Sequence, residues 1–239
     1  MTYNRIYFYE GEYCVRSIVS EEDQLKVYRL RHDVFCQILC WVPPSLDELE
    51  IDNYDEFSKS IGVFSEDNEL LGTFRFVPPG QSFMLETEFS SLLDMSYQIR
   101  KKNDTAEVTR FTVAPWLREK GISPGKISKL LYKGMYQWSL VNDVRYLYVV
   151  VEKKFWRALV ISGYPYEPIG ATKMLPPANA ESLAAILDWE KFRLQNQARQ
   201  ATFLNWITKL QLSPVPSLEQ WHGRESKNVT LPGYFAHGT

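Results

Sequence analysis

The hydrophobic and polar positions of this chain change period several times along its length, and each change marks an element. Residues 1–19 alternate weakly, with Ile6 and Phe8, then Tyr13 and Val15, which predicts an irregular start followed by a strand. Ser20 stands before Glu21, Glu22 and Asp23, a hydroxyl cap ahead of acids at the positive end of a helix dipole. Leu25, Tyr28, His32, Phe35 and Leu39 then recur at helical spacing, with Arg31 bordering that apolar face. Pro43 and Pro44 end the helix. "SIGVF" and "LLGTFRFV" read as two strands joined by the turn "SEDNE", a hairpin. "AEVTRFTVA" (106–114) predicts another strand, "ISKLLYKGMYQWSLV" a helix and "RYLYVVV" a buried strand. "KKFWRALVISG" predicts a short helix, stopped by Gly163 and Pro165.

A helix, antiparallel strands, then strand–helix–strand–helix makes an α/β or α+β sandwich. "NAESLAAILDWEKFRLQNQARQATFLNWITKL" extends it as a long helix with room for a break, and the last two dozen residues read as a loose tail. The expected organisation is a domain over 1–176 and a C-terminal helical extension and tail over 177–239. No internal repeat is visible.

Composition narrows the class. At 239 residues the chain suits one large domain or one domain with an appendage, and 45% hydrophobic residues supply a sizeable core. A net charge of −2 gives no overall pull toward nucleic acid. Cys14, Cys36 and Cys40 cannot all pair, and none lies in a CxxC motif, which fits a reduced, cytosolic protein. No apolar run approaches the roughly 18–20 residues of a membrane span, and the N-terminus lacks a basic stretch leading into an apolar one. The expectation is a cytoplasmic protein with no stable membrane association.

Four constellations carry candidate chemistry. His32, Cys36 and Cys40 fall at i, i+4, i+8, but a straight helix spreads them over about 12 Å at 1.5 Å per residue. One ion needs its donors within roughly 2.0–2.3 Å, so no metal is expected. The acidic run Asp47, Glu48, Glu50, Asp52, Asp55 and Glu56 is either a solvated loop or a cation site, and its lack of glycine weighs against a calcium loop. In "EVTRF", Glu107 and Arg110 point to opposite faces of a regular strand, and a β-bulge would bring them together. The pair is then a structural salt bridge, or Glu107 is a general base. Finally, "REKGISPGK" resembles an anion-holding turn at a helix start. Lys120, Lys126, Lys129, Lys133, Lys153, Lys154 and Arg157 add a basic excess around it. That excess is a soluble helix surface or a landing site for an acidic carrier protein.

Taken in order, these residues resemble the acyl-homoserine lactone synthase family, the LuxI-type autoinducer synthases, over roughly residues 15–175. The matching positions are Arg31 and Phe35 in "RHDVF", Trp41 in "ILCW", and Asp52 and Asp55 in "EIDNYDEFS". Arg75 in "GTFRFVPP", Phe89 in "MLETEF", and Glu107 with Arg110 in "AEVTRF" complete the set. Thr109 stands where serine is frequent in the family, and a hydroxyl is kept.

The resemblance implies a GNAT-like mixed sheet, splayed open and flanked by helices, here with an extra C-terminal helical segment. It implies two substrates, S-adenosylmethionine and an acyl group on acyl carrier protein, with methylthioadenosine released and no cofactor. It assigns Glu107 and Arg110 to catalysis, and Arg31, Phe35, Trp41, Asp52, Asp55 and Thr109 to S-adenosylmethionine. Arg75 and Phe89 support that cluster, and Lys120, Lys126, Lys129, Lys153 and Lys154 are the candidate docking surface for the carrier. Met135, Trp138, Leu147 and Val149 line an acyl tunnel or are ordinary core. The rival readings are a long-chain N-acyl amino acid synthase and a non-catalytic acyl-carrier or ligand-sensing module on the same scaffold.

Overall fold

A computed structural model of the chain describes residues 3–177 and 179–209. Its sheet is built by local pairing. The Gly11 turn, at φ +62°, folds β1 (Tyr7–Glu10) back on β2 (Tyr13–Ser17). The sequence pattern shows only one strand here, because the first strand is short and lies beside irregular chain. Strand β3 (Lys59–Phe64) and β4 (Leu70–Val77) form the expected hairpin, and β5 (Thr105–Val113) pairs antiparallel with β4. Strand β6 (Tyr146–Glu152) lies parallel to β5, which requires a crossover, and α2 (Pro124–Val141) supplies it. Beyond β6 come β9 (Ala180–Asp188) and β7 (Glu167–Pro168), with β8 (Lys173–Leu175) also on β9.

Two hydrophobic cores pack against the sheet. Alternate residues Phe74, Phe76, Ala106, Val108, Leu147 and Val149 face α2 in the larger core. Gly134 lets that helix approach closely, since a Cβ there would stand 2.9 Å from Val15 and 3.2 Å from Ile61. Met135, Trp138, Leu147 and Val149 all lie in this core, and the Trp138 ring stacks on Phe76 at 4.0 Å. The opposite parity, Val77, Tyr148 and Ala184, packs with Phe83, Met84 and Leu85 in a smaller core.

Two irregularities shape the middle of the sheet. Arg75 pairs with Thr109 but Thr73 pairs with Thr112, so β5 holds one extra residue at 110–111. Arg110 there takes φ +54°, the backbone of a bulge. Pairing of β5 with β6 stops at Val108 and Val149, although β5 runs on to Val113 beside β4 and β6 to Glu152 beside β9. The sheet is therefore splayed, as expected, with a wedge that opens after Val108 and holds the bulge on its β5 side.

Helix α1 (Glu21–Arg31) is capped by Ser20, whose hydroxyl accepts the Asp23 N–H at 3.1 Å. Its buried face matches the expected one in part, since His32 and Phe35 are buried and Tyr28 packs on the core. Asp23, Val27, Leu30 and Arg31 are buried while Leu25 is exposed. The helix also widens after Arg31 into a π-helical stretch, His32–Ile38, which shifts the angular position of everything beyond it. Cys36 is buried and Cys40 exposed, so the i, i+4, i+8 face does not exist.

The C-terminal segment departs most. Residues 180–188 are a strand, not the start of a long helix, and they complete the sheet beside β6. Helix α3 (Lys153–Ile161) precedes this strand, and α4 (Trp189–Arg199) and α5 (Ala201–Thr208) follow it, with a break at Gln200. Helix α5 docks on α2, where Gln137 Nε2 donates to the Ile207 carbonyl at 2.8 Å, and on the end of β1, where Trp206 Nε1 donates to Glu10 at 3.0 Å. The expected loose tail lies outside the described residues. No helix among the described residues is long and apolar enough to cross a membrane.

Candidate active site

Three arginines and three carboxylates meet on the α1 side of the sheet, beside the bulge. Arg31 comes from the end of α1 and is fully buried. Its Nη1 and Nη2 donate to the two oxygens of Asp55 at 2.7 and 3.0 Å, and its Nε donates to Glu50. Arg75, on β4, is equally buried. It grips Asp52 with both Nη groups, reaches Asp55 Oδ1 at 2.9 Å, and donates from Nε to Thr109 Oγ1 at 3.0 Å. Arg110 is carried to the same side by the bulge. Its Nη2 donates to Glu50 at 2.8 Å and to Asp52 at 2.9 Å.

Each acid therefore joins two arginines, and the set is one network of charge-assisted hydrogen bonds. Burial pushes the Glu50 carboxyl up, but Arg110 and Arg31 outweigh that and hold it below its ordinary value. Asp55 is likewise pushed up by burial and pulled lower still by Arg31 and Arg75. Both stay ionised at neutral pH. For Arg31, burial acts downward, and Asp55 and Glu50 overcome it to raise its pKa.

The acidic run thus resolves residue by residue. Glu50, Asp52 and Asp55 turn inward, whereas Glu48 and Glu56 are exposed. Glu50 is the functional candidate that sequence reasoning missed. It is 2% exposed and bridges Arg31 to Arg110. The one signal available was its spacing in "EIDNYD", two residues before Asp52.

Glu107 stands on the same sheet face but outside this network. Its Oε2 accepts the Met84 N–H at 2.7 Å and its Oε1 the Leu85 N–H at 2.9 Å. Burial raises its pKa to about 7, against the two amide bonds and the Arg75 charge, which lower it. Met84 ties the groups together, because its sulfur lies 3.4 Å from Arg75 Nη2 and 3.8 Å from Arg110 Nη1. Phe89 closes the same turn by donating its N–H to the Met84 carbonyl at 3.1 Å, and its ring packs on the smaller core.

Aromatic faces line the other side. Phe35 lies 5.5 Å from the Arg110 guanidinium, and the half-exposed Trp41 stands 6.1 Å from Phe35. Tyr54 sits 5.7 Å from the Arg75 guanidinium. The chain can offer π-faces and carboxylates to a cation here, and guanidiniums to a carboxylate.

The lysines form no comparable cluster. Lys120 pairs with Glu69, Lys126 with Glu12, Lys153 with Glu181 and Lys154 with Glu152. Lys129 is exposed with no ion pair among the described residues. Lys133 is buried against Glu10 and takes no part in a surface. Among the described residues no group of three or more His, Cys, Asp or Glu side chains is placed to hold a metal ion.

The sequence model of the autoinducer synthase family matches residues 16–196. An acyl-homoserine-lactone synthase of Agrobacterium fabrum is 28% identical over 148 residues, 61% of this chain and 70% of that protein. Among solved structures, the AHL synthase LasI superposes with a TM-score of 0.66 at 19% identity, covering 74% of this chain and 89% of its own. The CoA-dependent acyl-homoserine lactone synthase BjaI, solved with SAM and isopentyl-CoA, gives 0.66 at 18% identity, covering 82% of this chain and 89% of its own.

Proposed function

The chain belongs to the autoinducer synthase family, and on that premise we propose that it makes an N-acyl-homoserine lactone from S-adenosylmethionine and an acyl group held as a thioester on acyl carrier protein. The amine nitrogen attacks the thioester carbonyl and the carrier thiol leaves. A carboxylate oxygen then attacks the γ-carbon, the carbon–sulfur bond breaks, and methylthioadenosine departs with the lactone closed.

The observation that carries this reading is the bulge. It places Arg110 in one network with Arg31, Arg75, Glu50, Asp52 and Asp55, directly beside the wedge between β5 and β6. A sulfonium amino acid fits the charged side, with Trp41 and Phe35 offering ring faces worth on the order of 0.5–2 kcal/mol to its sulfonium. Arg110 meets its carboxylate. The strand edges left unpaired beyond Val108 and Val149 offer backbone N–H and C=O groups to the carrier arm and to the oxyanion of the tetrahedral intermediate.

Before attack, the ammonium must lose a proton. Glu107 is the acceptor in this proposal, directly or through water. Its pKa of about 7 matches that task, and two of its lone pairs are left after the Met84 and Leu85 contacts. The account needs no cofactor, since S-adenosylmethionine is consumed.

Purified protein given S-adenosylmethionine and an acyl thioester is expected to release one methylthioadenosine per lactone formed. Running the assay with acyl carrier protein and with coenzyme A as the thiol identifies the donor. Amide formation on ordinary amino acids without methylthioadenosine would place the chain with the N-acyl amino acid synthases instead.

A further inference from the structure

The charged site is balanced against itself. Arg31, Arg75 and Arg110 are matched by Glu50, Asp52 and Asp55, each in contact with its opposites. Such a set positions groups but offers no net attraction to a cation. S-adenosylmethionine, whose place here rests on the proposed function, carries a sulfonium and an ammonium against one carboxylate and is therefore a net cation. Glu107 stands outside this network, one lone pair of each oxygen is taken by a backbone N–H, and the proposed function assigns the rest to proton transfer rather than to a standing charge.

Glu88 is placed differently. It is exposed, and its Oε2 accepts the Tyr54 hydroxyl at 2.6 Å and the Thr87 hydroxyl as well. Tyr54 is anchored in the cluster. Its N–H donates to Asp52 at 2.9 Å, its ring lies beside Arg75, and Asp55 follows it in the chain. A single buried tyrosine thus spans from the balanced network to one further carboxylate at its open edge. Glu88 is close enough to feel the charge of Arg110, and Glu107 in turn feels Glu88. Both hydroxyls fall on Oε2, so the exposed carboxylate keeps lone pairs for a ligand.

We propose that Glu88, held by Tyr54 and Thr87, supplies the net negative charge that draws the sulfonium and ammonium of S-adenosylmethionine to this site. Its role is in binding the cation, beside the ring faces that Trp41 and Phe35 offer to the sulfonium, rather than in positioning the adenosine.

Calorimetry on the full chain with two ligands tests this. Methylthioadenosine shares the adenosine and the sulfur but has neither positive charge. Glu88→Gln, a change at an exposed side chain, is expected to weaken S-adenosylmethionine roughly tenfold while methylthioadenosine binds as before. Tyr54→Phe, which keeps the carboxylate but frees it, is expected to give a smaller loss with the same selectivity. Unchanged S-adenosylmethionine affinity in Glu88→Gln overturns the inference, and so does an equal loss for both ligands, which would make Glu88 a matter of shape. Wild-type protein that binds methylthioadenosine but not S-adenosylmethionine would instead remove the substrate reading itself, and this inference with it.

Discussion

The Glu107 carboxylate accepts the Met84 backbone N–H at 2.7 Å, and this contact joins the bulged strand to the turn whose methionine sulfur touches Arg75 and Arg110. The buried acid fixes that turn, and the proposed mechanism gives it a second task, to take a proton at a pKa of about 7.

Those tasks separate by pH. A carboxyl whose pKa rises on folding stabilises the fold most when protonated, below its unfolded pKa, and that contribution fades as pH climbs through 7. The wild-type chain is expected to lose on the order of 2–3 kcal/mol from this group between about pH 4.5 and 8. Catalysis runs the other way, because only the ionised form accepts a proton, so turnover should rise through about pH 7. Glu107→Gln is expected to lower kcat by about 10²–10⁴-fold and to abolish that ascending limb, with S-adenosylmethionine still bound. A variant that keeps the wild-type kcat and the same limb would take Glu107 out of proton transfer.

Glu50 carries a stability prediction. It is the link between Arg31 and Arg110, and Arg31 has no route to water. Glu50→Ala leaves a buried guanidinium short of a partner, which costs about 3–5 kcal/mol. Denaturant unfolding at pH 7 checks it. An exposed acid such as Glu56, replaced in the same way, should change stability by less than about 0.5 kcal/mol.

Arg110 separates backbone from side chain. Its φ of +54° is strained for any residue with a Cβ, and glycine relieves that. Arg110→Gly is expected to be more stable than Arg110→Ala by about 1 kcal/mol, while both lose the contacts to Glu50 and Asp52 and lose activity alike. Equal stabilities, measured by thermal unfolding, would contradict a bulge at this position.

Much of this was legible from the chain, and the reasons are local. The β3–β4 hairpin shows because its strands alternate around a polar turn, and α1 shows its start because Ser20 and three acids sit in order. The bulge was a stated condition for Glu107 and Arg110 to share a face, and the register meets it. The pattern along α1 finds His32 and Phe35 but also takes Leu25 for core, whereas Asp23 and Arg31 are buried with charged partners, Arg16 and Asp55, supplied from elsewhere. Residues 180–188 read as helix because alanine and leucine favour it. Their fate was decided by the open edge of β6, which no local pattern records. Glu50 was hidden for a similar reason, since one buried acid among exposed ones has the same composition as a solvated loop.

The most direct test of the account is mass spectrometry on cells that express the chain and are fed isotopically labelled methionine. The account predicts an N-acyl-homoserine lactone whose lactone ring carries the label, together with labelled methylthioadenosine. Folded, abundant protein that yields acyl amino acids with an unlabelled head group and no lactone would contradict it.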